Sequence, residues 1–190
     1  DRKRKFPVTT ILKCLLSKSS SDYLNKCENN KIDPDPKKIL GMTGEEILST
    51  FYQNILYKKS EKGWLFKENL SFYKSKILSF DILDPNNAKV LISKGTKVNQ
   101  KIINDIKKKN ITNLLVEENA LIGLYLASDI IDEKTGKIFY EAGFEIDEDL
   151  VSFLNSNKIT KIDILKADNI EIGSYIRNTL QLDKARSREE

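Results

Sequence analysis

The chain contains no histidine, and this absence removes the commonest general base and the commonest metal ligand of proteins. Serine–histidine and cysteine–histidine nucleophile pairs are excluded with it. Only two cysteines are present, Cys14 and Cys27, which are too few for a disulfide framework or, without histidine, for an ordinary zinc site. The eight glycines form none of the clustered patterns that cradle phosphate groups. The residue types therefore give no support to catalytic chemistry.

Long apolar runs are also missing, since none approaches the roughly 18 residues that a membrane span needs. The first residues lack the apolar core of a signal peptide. Hydrophobic residues make up 39% of the 190 residues, enough to fill a core, and charged residues make up 32%. We expect a folded, soluble chain with a highly charged surface. Because it starts without methionine and stops within a charged helical pattern, we also expect it to be cut from a longer protein.

Arginine is absent from the long middle of the chain, which uses only lysine as a basic residue. The arginines lie near the two ends, at Arg2, Arg4, Arg177, Arg186 and Arg188. Arginine suits bidentate contacts with phosphate, whereas lysine is mainly a solvated point charge. The basic run at residues 2–5 is therefore a candidate nucleic-acid contact, and an ordinary solvated face is the alternative that composition leaves open.

The first third of the chain contains two helical patterns. Val8, Ile11, Leu12, Leu15 and Leu16 have spacings that place them on one helix face after Pro7. Residues 17–41 are rich in Ser, Asn, Asp and Pro, which favours a surface loop with at most one helical turn. Residues 43–57 have a capping-box spacing and an apolar stripe, which predict a helix. Its capping pair is Thr43 and Glu46, and its stripe is Ile47, Leu48, Phe51, Ile55 and Leu56. Residues 64–66 are expected to start a strand or to anchor a loop, with Trp64 as a core or interface anchor.

An internal repeat occupies the middle of the chain, with equivalent residues 48 positions apart and no gap. Asp81-Ile82-Leu83-Asp84 matches Asp129-Ile130-Ile131-Asp132, and glycines, helix positions and the last apolar segment match at the same spacing. Each copy predicts a ββαβ unit, at about residues 79–118 and 127–166.

Side chains at matching positions of the two copies have expected structural roles. Asn99 and Asp147 are expected to cap the two helices. Ile106 and Leu154 are expected to be buried in the cores of the two copies. Asp84 and Asp132 are expected to accept hydrogen bonds at turns, with metal binding or acid–base chemistry as the alternative.

Three stretches, taken in order, resemble the beta subunit of bacterial DNA-directed RNA polymerase. They read DRKRKFPVTTIL at the start, GMTGEEILSTFY further on, and GSYIRNTLQLDKARSREE at the end. The resemblance is carried by Asp1, Arg2, Arg4, Lys5, Pro7, Thr9, Glu46, Ile47, Leu48, Phe51, Tyr52, Gly173, Tyr175, Ile176, Thr179 and Leu180. The internal DIIDEKTGKIFYEAG stretch is also similar to an insertion found in many bacterial beta subunits, and residues 17–41 are longer than the family pattern.

The resemblance implies an α+β fold in which a discontinuous helical lobe segment carries an inserted tandem ββαβ repeat. The lobe segments would be residues 1–56 and 168–190, and the inserted domain residues 57–167. The lobe forms one wall of the downstream DNA channel, so Asp1, Arg2, Arg4 and Lys5 would lie near the non-template strand and the downstream duplex.

The same resemblance implies partners, cofactor and location. The catalytic Mg²⁺ would be held by the beta-prime subunit, so this segment would bind no cofactor and carry no catalytic residue, although the whole enzyme is a nucleotidyltransferase. The partners would be DNA and the beta-prime, alpha, omega and sigma subunits in the bacterial cytoplasm, with no membrane. The residues alone leave two other possibilities open: a stand-alone α+β repeat module for protein interaction, and an enzyme using only Asp, Glu, Lys and Tyr.

Overall fold

The computed structural model describes residues 6–109, 111–132, 134–167 and 173–185. It combines α-helices with antiparallel strand pairs, which confirms the predicted α+β class. The helices are α1 (Val8–Cys14), α2 (Lys18–Asn30), α3 (Gly44–Phe51), α4 (Gln100–Lys108), α5 (Glu148–Ser156) and α6 (Tyr175–Leu182). The strands are β1 (Asn54–Ser60), β2 (Gly63–Phe66), β3 (Ile82–Leu83), β4 (Val90–Ile92), β5 (Leu114–Val116), β6 (Ile130–Ile131), β7 (Ile138–Tyr140) and β8 (Lys161–Leu165).

Contacts divide the chain into two compact units. The first comprises residues 1–53, 127–144 and 165–190, and the second residues 54–126 and 145–164. The predicted division into lobe segments (1–56 and 168–190) and an inserted domain (57–167) differs from these bounds, because residues 127–144 fall in the first unit. That division stays a prediction.

The second unit is built on a sheet whose strand order is β4-β3-β5-β2-β1-β8. Strands β1 and β2 form a hairpin that closes with Ser60 opposite Gly63, and β2 pairs with β5 with Trp64 opposite Val116. Trp64 is buried in β2, which confirms its expected role as an anchor. Tyr57 stacks on Phe66 with ring centroids 4.7 Å apart, and burial raises the pKa of the Tyr57 hydroxyl well above its usual value.

Helices α4 and α5 also belong to the second unit, and the predicted N-caps of both helices are confirmed. The Asn99 side chain accepts a hydrogen bond from the Ile102 amide at 2.9 Å, and Asp147 accepts one from the Leu150 amide at 2.8 Å. A cap of this kind satisfies an amide that the helix cannot pair internally. The inward sides of the helices carry Ile106 and Leu154, which are 3% and 1% exposed.

Helices α1, α3 and α6 pack together in the first unit, where α1 contacts α3 and α6 and α3 contacts α6. Ile47 and Leu48 of α3 are buried there, as expected from their stripe. The capping box of α3 is also confirmed, with Glu46 N donating to Thr43 Oγ1 at 3.2 Å and Thr43 N donating to the Glu46 carboxylate at 3.0 Å.

The prediction of a loop over residues 17–41 is wrong, because residues 18–30 form the thirteen-residue helix α2. The Ser17 side chain caps its start by accepting from the Ser20 amide, and Lys31 ends it in the left-handed conformation. Ser20 also accepts from the Leu40 amide at 2.7 Å, so one side of this helix is fixed by hydroxyl groups. The polar composition of residues 17–41 argued against a helix. Capping and packing stabilise α2 although its residues have a low intrinsic preference for helix.

The helix predicted over residues 43–57 is too long. Helix α3 ends at Phe51, and Ile55 and Leu56 lie in strand β1. In a strand, neighbouring side chains point to opposite faces. Ile55 is accordingly buried and Leu56 exposed, whereas the predicted helical stripe placed both residues on the same face. Phe51 is exposed as well.

Local hydrogen bonds recur 48 residues apart within the two stretches of the repeat. Strand pairs β3–β4 and β6–β7 each contain an irregularity between their first two paired positions. In the first pair of recurring bonds, Asp84 N donates to Lys89 O and Asp132 N donates to Lys137 O, both at 2.8 Å. In the second pair, Lys94 N donates to Asp81 Oδ1 at 2.5 Å and Ala142 N donates to Asp129 Oδ1 at 2.6 Å. In the third pair, Val98 N donates to Lys76 O at 2.9 Å and Ile146 N donates to Leu124 O at 2.8 Å. The short 3-10 helices Leu70–Tyr73 and Glu118–Leu121 also start 48 residues apart.

None of the helices among the described residues is both long and apolar enough to cross a membrane.

Candidate functional site

The candidate nucleic-acid residues Asp1, Arg2, Arg4 and Lys5 lie outside the described residues. The described chain begins with Phe6, and Pro7 takes the N-cap position of helix α1. Helix α1 follows the basic run directly, and the side chains that hold α1 in place are therefore the described residues nearest to the candidate site.

A buried carboxylate holds this helix in place. Asp183, just after α6, accepts hydrogen bonds from the Thr9 hydroxyl at 2.6 Å and from the Thr10 hydroxyl at 2.9 Å. The Ala185 amide donates to the same carboxylate at 3.1 Å, and the Lys13 ammonium lies 3.4 Å from it. The side chains of Lys13 and Asp183 are 7% and 2% exposed. Lys13 also donates to the Ala185 carbonyl.

The partners of Asp183 decide its charge state. Burial by itself would raise the pKa of this carboxyl group. Hydrogen bonds from Thr9, Thr10 and the Ala185 amide, together with the Lys13 charge, outweigh burial and lower the pKa below its ordinary value. Asp183 is therefore a stable carboxylate near neutral pH. All its oxygens face groups of its own unit, so the arrangement fastens α1 to the chain after α6.

The sequence did not single out Asp183 or Lys13. Thr9 and Lys13 are four residues apart, so they form a polar stripe on the side of α1 away from its apolar residues. The spacing of these two residues indicates a buried polar contact. It does not identify the partner, because Asp183 lies 174 residues from Thr9.

A second polar network joins the segments of the first unit that carry the family resemblance. The Tyr52 hydroxyl donates to the Gly173 carbonyl at 3.1 Å, and the Arg177 amide donates to the Tyr52 oxygen at 3.4 Å. Arg177 Nε donates to the Gly143 carbonyl at 2.5 Å. A side chain added at Gly143 would meet Leu48 at 3.2 Å, so the backbone approaches α3 closely there. These contacts tie α6 to the end of α3 and to the segment after β7.

Turn aspartates of the repeat have the structural role that was expected. Asp84 Oδ1 accepts from the Asn86 amide and Asp132 Oδ1 from the Lys134 amide, each at 2.9 Å. The Lys134 amide and the Thr135 hydroxyl lower the pKa of Asp132. Across the described ranges, no group of three or more His, Cys, Asp or Glu side chains is placed to hold a metal ion.

One charged cluster lies in the second unit. The Lys59 ammonium is 3.1 Å from the Glu118 carboxylate, donates to the Asn155 side chain, and lies 5.8 Å from the centre of the Trp64 ring. Asn155 donates to Glu118 at 3.1 Å, and this bond, followed by Lys59, lowers the pKa of Glu118. The groups satisfy one another, so the cluster joins β1, α5 and the 3-10 helix at Glu118–Leu121 as a structural contact.

Comparison with curated proteins gives one consistent result. Over all 190 residues, the chain is 34% identical to the DNA-directed RNA polymerase subunit beta of Agrobacterium fabrum, 36% identical to that of Rhizobium rhizogenes and 38% identical to that of Brucella abortus. It spans about 12% of the length of each of these relatives. No family model matches the chain. The resemblance seen in the sequence is thereby confirmed along the whole chain.

Proposed function

We propose, from the premise that this chain is homologous over its whole length to one segment of the DNA-directed RNA polymerase beta subunit, that it forms part of the downstream DNA channel wall during transcription. The observation that carries the proposal is the match over all 190 residues. The segment would work in the cytoplasm within a nucleotidyltransferase that makes RNA from nucleoside triphosphates. The beta-prime subunit would hold the catalytic Mg²⁺, and this segment would bind no cofactor.

DNA contact is assigned to the basic run. Arg2, Arg4 and Lys5 would meet phosphate groups of the downstream duplex, and Asp1 would face a base edge of the non-template strand, because a carboxylate repels phosphate. The arrangement after the run supports this role. Helix α1 starts three residues beyond Lys5 and is held by the buried Asp183 network, so the run is attached to a fixed element.

The middle of the chain is proposed to be a duplicated ββαβ unit inserted into a discontinuous lobe. The 48-residue spacing of sequence, helix caps and local hydrogen bonds supports the duplication. The contacts of Tyr52 with Gly173 and Arg177, and of Thr9 with Asp183, support a lobe formed from both ends of the chain. The homologues do not favour the alternative of a stand-alone interaction module.

The DNA-contact proposal is tested in assembled polymerase by a salt titration of open-complex lifetime. Replacing Arg2, Arg4 and Lys5 with alanine should shorten the lifetime and reduce its salt slope by about one unit per lost phosphate contact. The matched control replaces three exposed lysines of the second unit, Lys101, Lys108 and Lys161, and so removes the same charge elsewhere.

The two variants separate a local contact from a general charge effect. The control should keep the wild-type slope. An unchanged slope in the basic-run variant, or an equal change in both, would remove the DNA-contact assignment and leave the run as a solvated face.

A further inference from the structure

One backbone pairing occurs in both copies of the repeat, and the two copies carry different charges around it. Ile77 pairs with Lys97 in the first copy, and Tyr125 pairs with Glu145 in the second. The amide bonds on either side of this pairing also recur 48 residues apart. The lysines of the first segment and the residues at the matching positions are Lys74 and Ile122, Lys76 and Leu124, Lys94 and Ala142, and Lys97 and Glu145. The first copy is therefore basic where the second is apolar or acidic.

Lys74, Lys94 and Lys97 are exposed, and we call these three side chains the lysine face. Residues 75–78 pair with residues 95–98 in the antiparallel sense, and Lys74 and Lys94 directly precede these two segments. One lysine therefore lies at each end of the pairing, with Lys97 between them. Within the described ranges, no ion pair or side-chain hydrogen bond engages the three ammonium groups.

The fold of this segment does not depend on the three positive charges. The second copy forms the same pairing without a lysine at any of the matching positions. Asp81 accepts a hydrogen bond from the Lys94 amide, and Asp129 accepts one from the Ala142 amide in the same way, so this carboxylate has a role in the turn of both copies. Like charges held close together repel one another and destabilise the folded chain. The lysine face therefore costs stability unless an anion binds to it.

Resting on the proposed function, which assigns the chain to the wall of a DNA channel, we propose that the lysine face binds the phosphate backbone of double-stranded DNA without sequence preference. This contact uses other residues than the basic run. Lysine neutralises phosphate as a point charge, whereas it is depleted at protein–protein interfaces. Charge and residue type together therefore favour a nucleic-acid partner over an acidic protein segment.

The neighbouring side chains select the duplex and exclude base reading. Residues 5–176 contain no arginine, the residue that most often reads guanine edges through bidentate contacts. A single strand is bound by stacking its bases on aromatic side chains. The Phe72 ring, two residues before Lys74, is covered instead by the Lys76 ammonium, which lies 3.5 Å from the ring centre. The face therefore suits the regular phosphate backbone of a duplex.

A salt titration of open-complex lifetime in assembled polymerase tests the contact. Replacing Lys74, Lys94 and Lys97 with alanine should reduce the salt slope by about one unit for each phosphate contact that is lost. Replacing the same three residues with arginine keeps their charge and should keep the wild-type slope. The alanine variant of the 190-residue chain should be at least as thermally stable as wild type, because the substitutions remove repulsion, so a reduced slope does not reflect unfolding.

The matched control is again the variant with alanine at Lys101, Lys108 and Lys161, which loses the same charge. Asp105 follows Lys101 by four residues and precedes Lys108 by three, so on helix α4 it offsets the charge of both lysines. This control should keep the wild-type slope.

Photo-crosslinking identifies the partner of the face. A benzophenone amino acid in place of Lys97 should crosslink to the duplex part of the promoter DNA in the open complex. The same amino acid in place of Glu145, the matching position of the second copy, should not crosslink to DNA.

Three results would overturn the proposal. Crosslinks from position 97 to protein, or to the unpaired strands of the bubble, would assign the face to another partner. Absence of any crosslink from position 97 would leave the face solvated. An unchanged slope in the alanine variant, or an equal change in the control, would remove the phosphate contacts. The basic-run variant is measured separately, so a wild-type slope there beside a reduced slope here would overturn the basic-run assignment alone.

Discussion

Replacing Asp183 with alanine should destabilise the first unit strongly. The substitution removes the acceptor of the Thr9 and Thr10 hydroxyls and the counter-charge of Lys13, whose side chain is 7% exposed. Breaking a buried ion pair by removing one partner costs about 3–5 kcal/mol. We expect a loss of about 3 kcal/mol, at the lower end of that range, because Lys13 keeps the Ala185 carbonyl as an acceptor.

The pH dependence of this contribution follows from the lowered pKa of Asp183. The folded state holds the proton of this carboxyl group less tightly than the unfolded state, where the pKa is about 4. The stabilisation is therefore fully present above about pH 4 and is lost as the pH falls through the lowered folded pKa. The difference in unfolding free energy between wild type and Asp183→Asn should stay constant from about pH 8 to pH 5 and should narrow below about pH 4.

The assay must report the unit that contains Asp183. Trp64 belongs to the second unit, so its fluorescence is the wrong probe. Hydrogen exchange of the α1 and α6 peptides in the 190-residue chain, across a denaturant series, measures the relevant free energy. Lys184→Ala is the matched control at an exposed neighbouring position and should change stability by less than about 0.5 kcal/mol. A loss below about 1 kcal/mol for Asp183→Ala, or one equal to the control, would refute the reasoning.

Two further predictions concern the second unit and are measured by denaturant unfolding followed by Trp64 fluorescence. Ile106→Ala and Leu154→Ala should each cost about 2–5 kcal/mol, because both side chains are buried, and losses under about 0.5 kcal/mol would contradict their burial. Gly63→Ala should be strongly destabilising, because Gly63 has a φ of +138° and an added Cβ would collide with the Val116 carbonyl. Gly95→Ala, with a φ of +80° and open space around it, is the control and should cost about 1 kcal/mol, so equal losses would contradict the collision.

Local signals in the sequence predicted the parts of the fold that short-range chemistry decides. The caps at Thr43, Asn99 and Asp147 were all predicted, because each bond joins a side chain to a backbone amide three residues away. The turn aspartates are similar cases. The spacing of the repeat also predicted the burial of Ile106 and Leu154, since both copies place an apolar residue at the same position of an amphipathic helix.

Long-range contacts decided what the sequence could not predict. The helical period of α1 identified an apolar face, but the packing between the helices uses Thr9 and Lys13, whose partner lies 174 residues from Thr9. Helix α2 was missed because hydroxyl caps and the Ser20–Leu40 bond compensate for its polar composition. The candidate DNA contact rests on Asp1, Arg2, Arg4 and Lys5, which lie outside the described residues, so that assignment stays a prediction.

The bond between Thr9 and Asp183 closes a loop of 174 residues. The entropic free-energy cost of closing a flexible loop grows only with the logarithm of the loop length. Each doubling of the length adds about 0.6 kcal/mol to that cost. Lengthening an exposed turn between these two anchors should therefore add little to the free-energy cost of bringing Thr9 and Asp183 together. Such a closure leaves the interior of the segment free to change in length over evolution while the contact between α1 and the residue after α6 is kept.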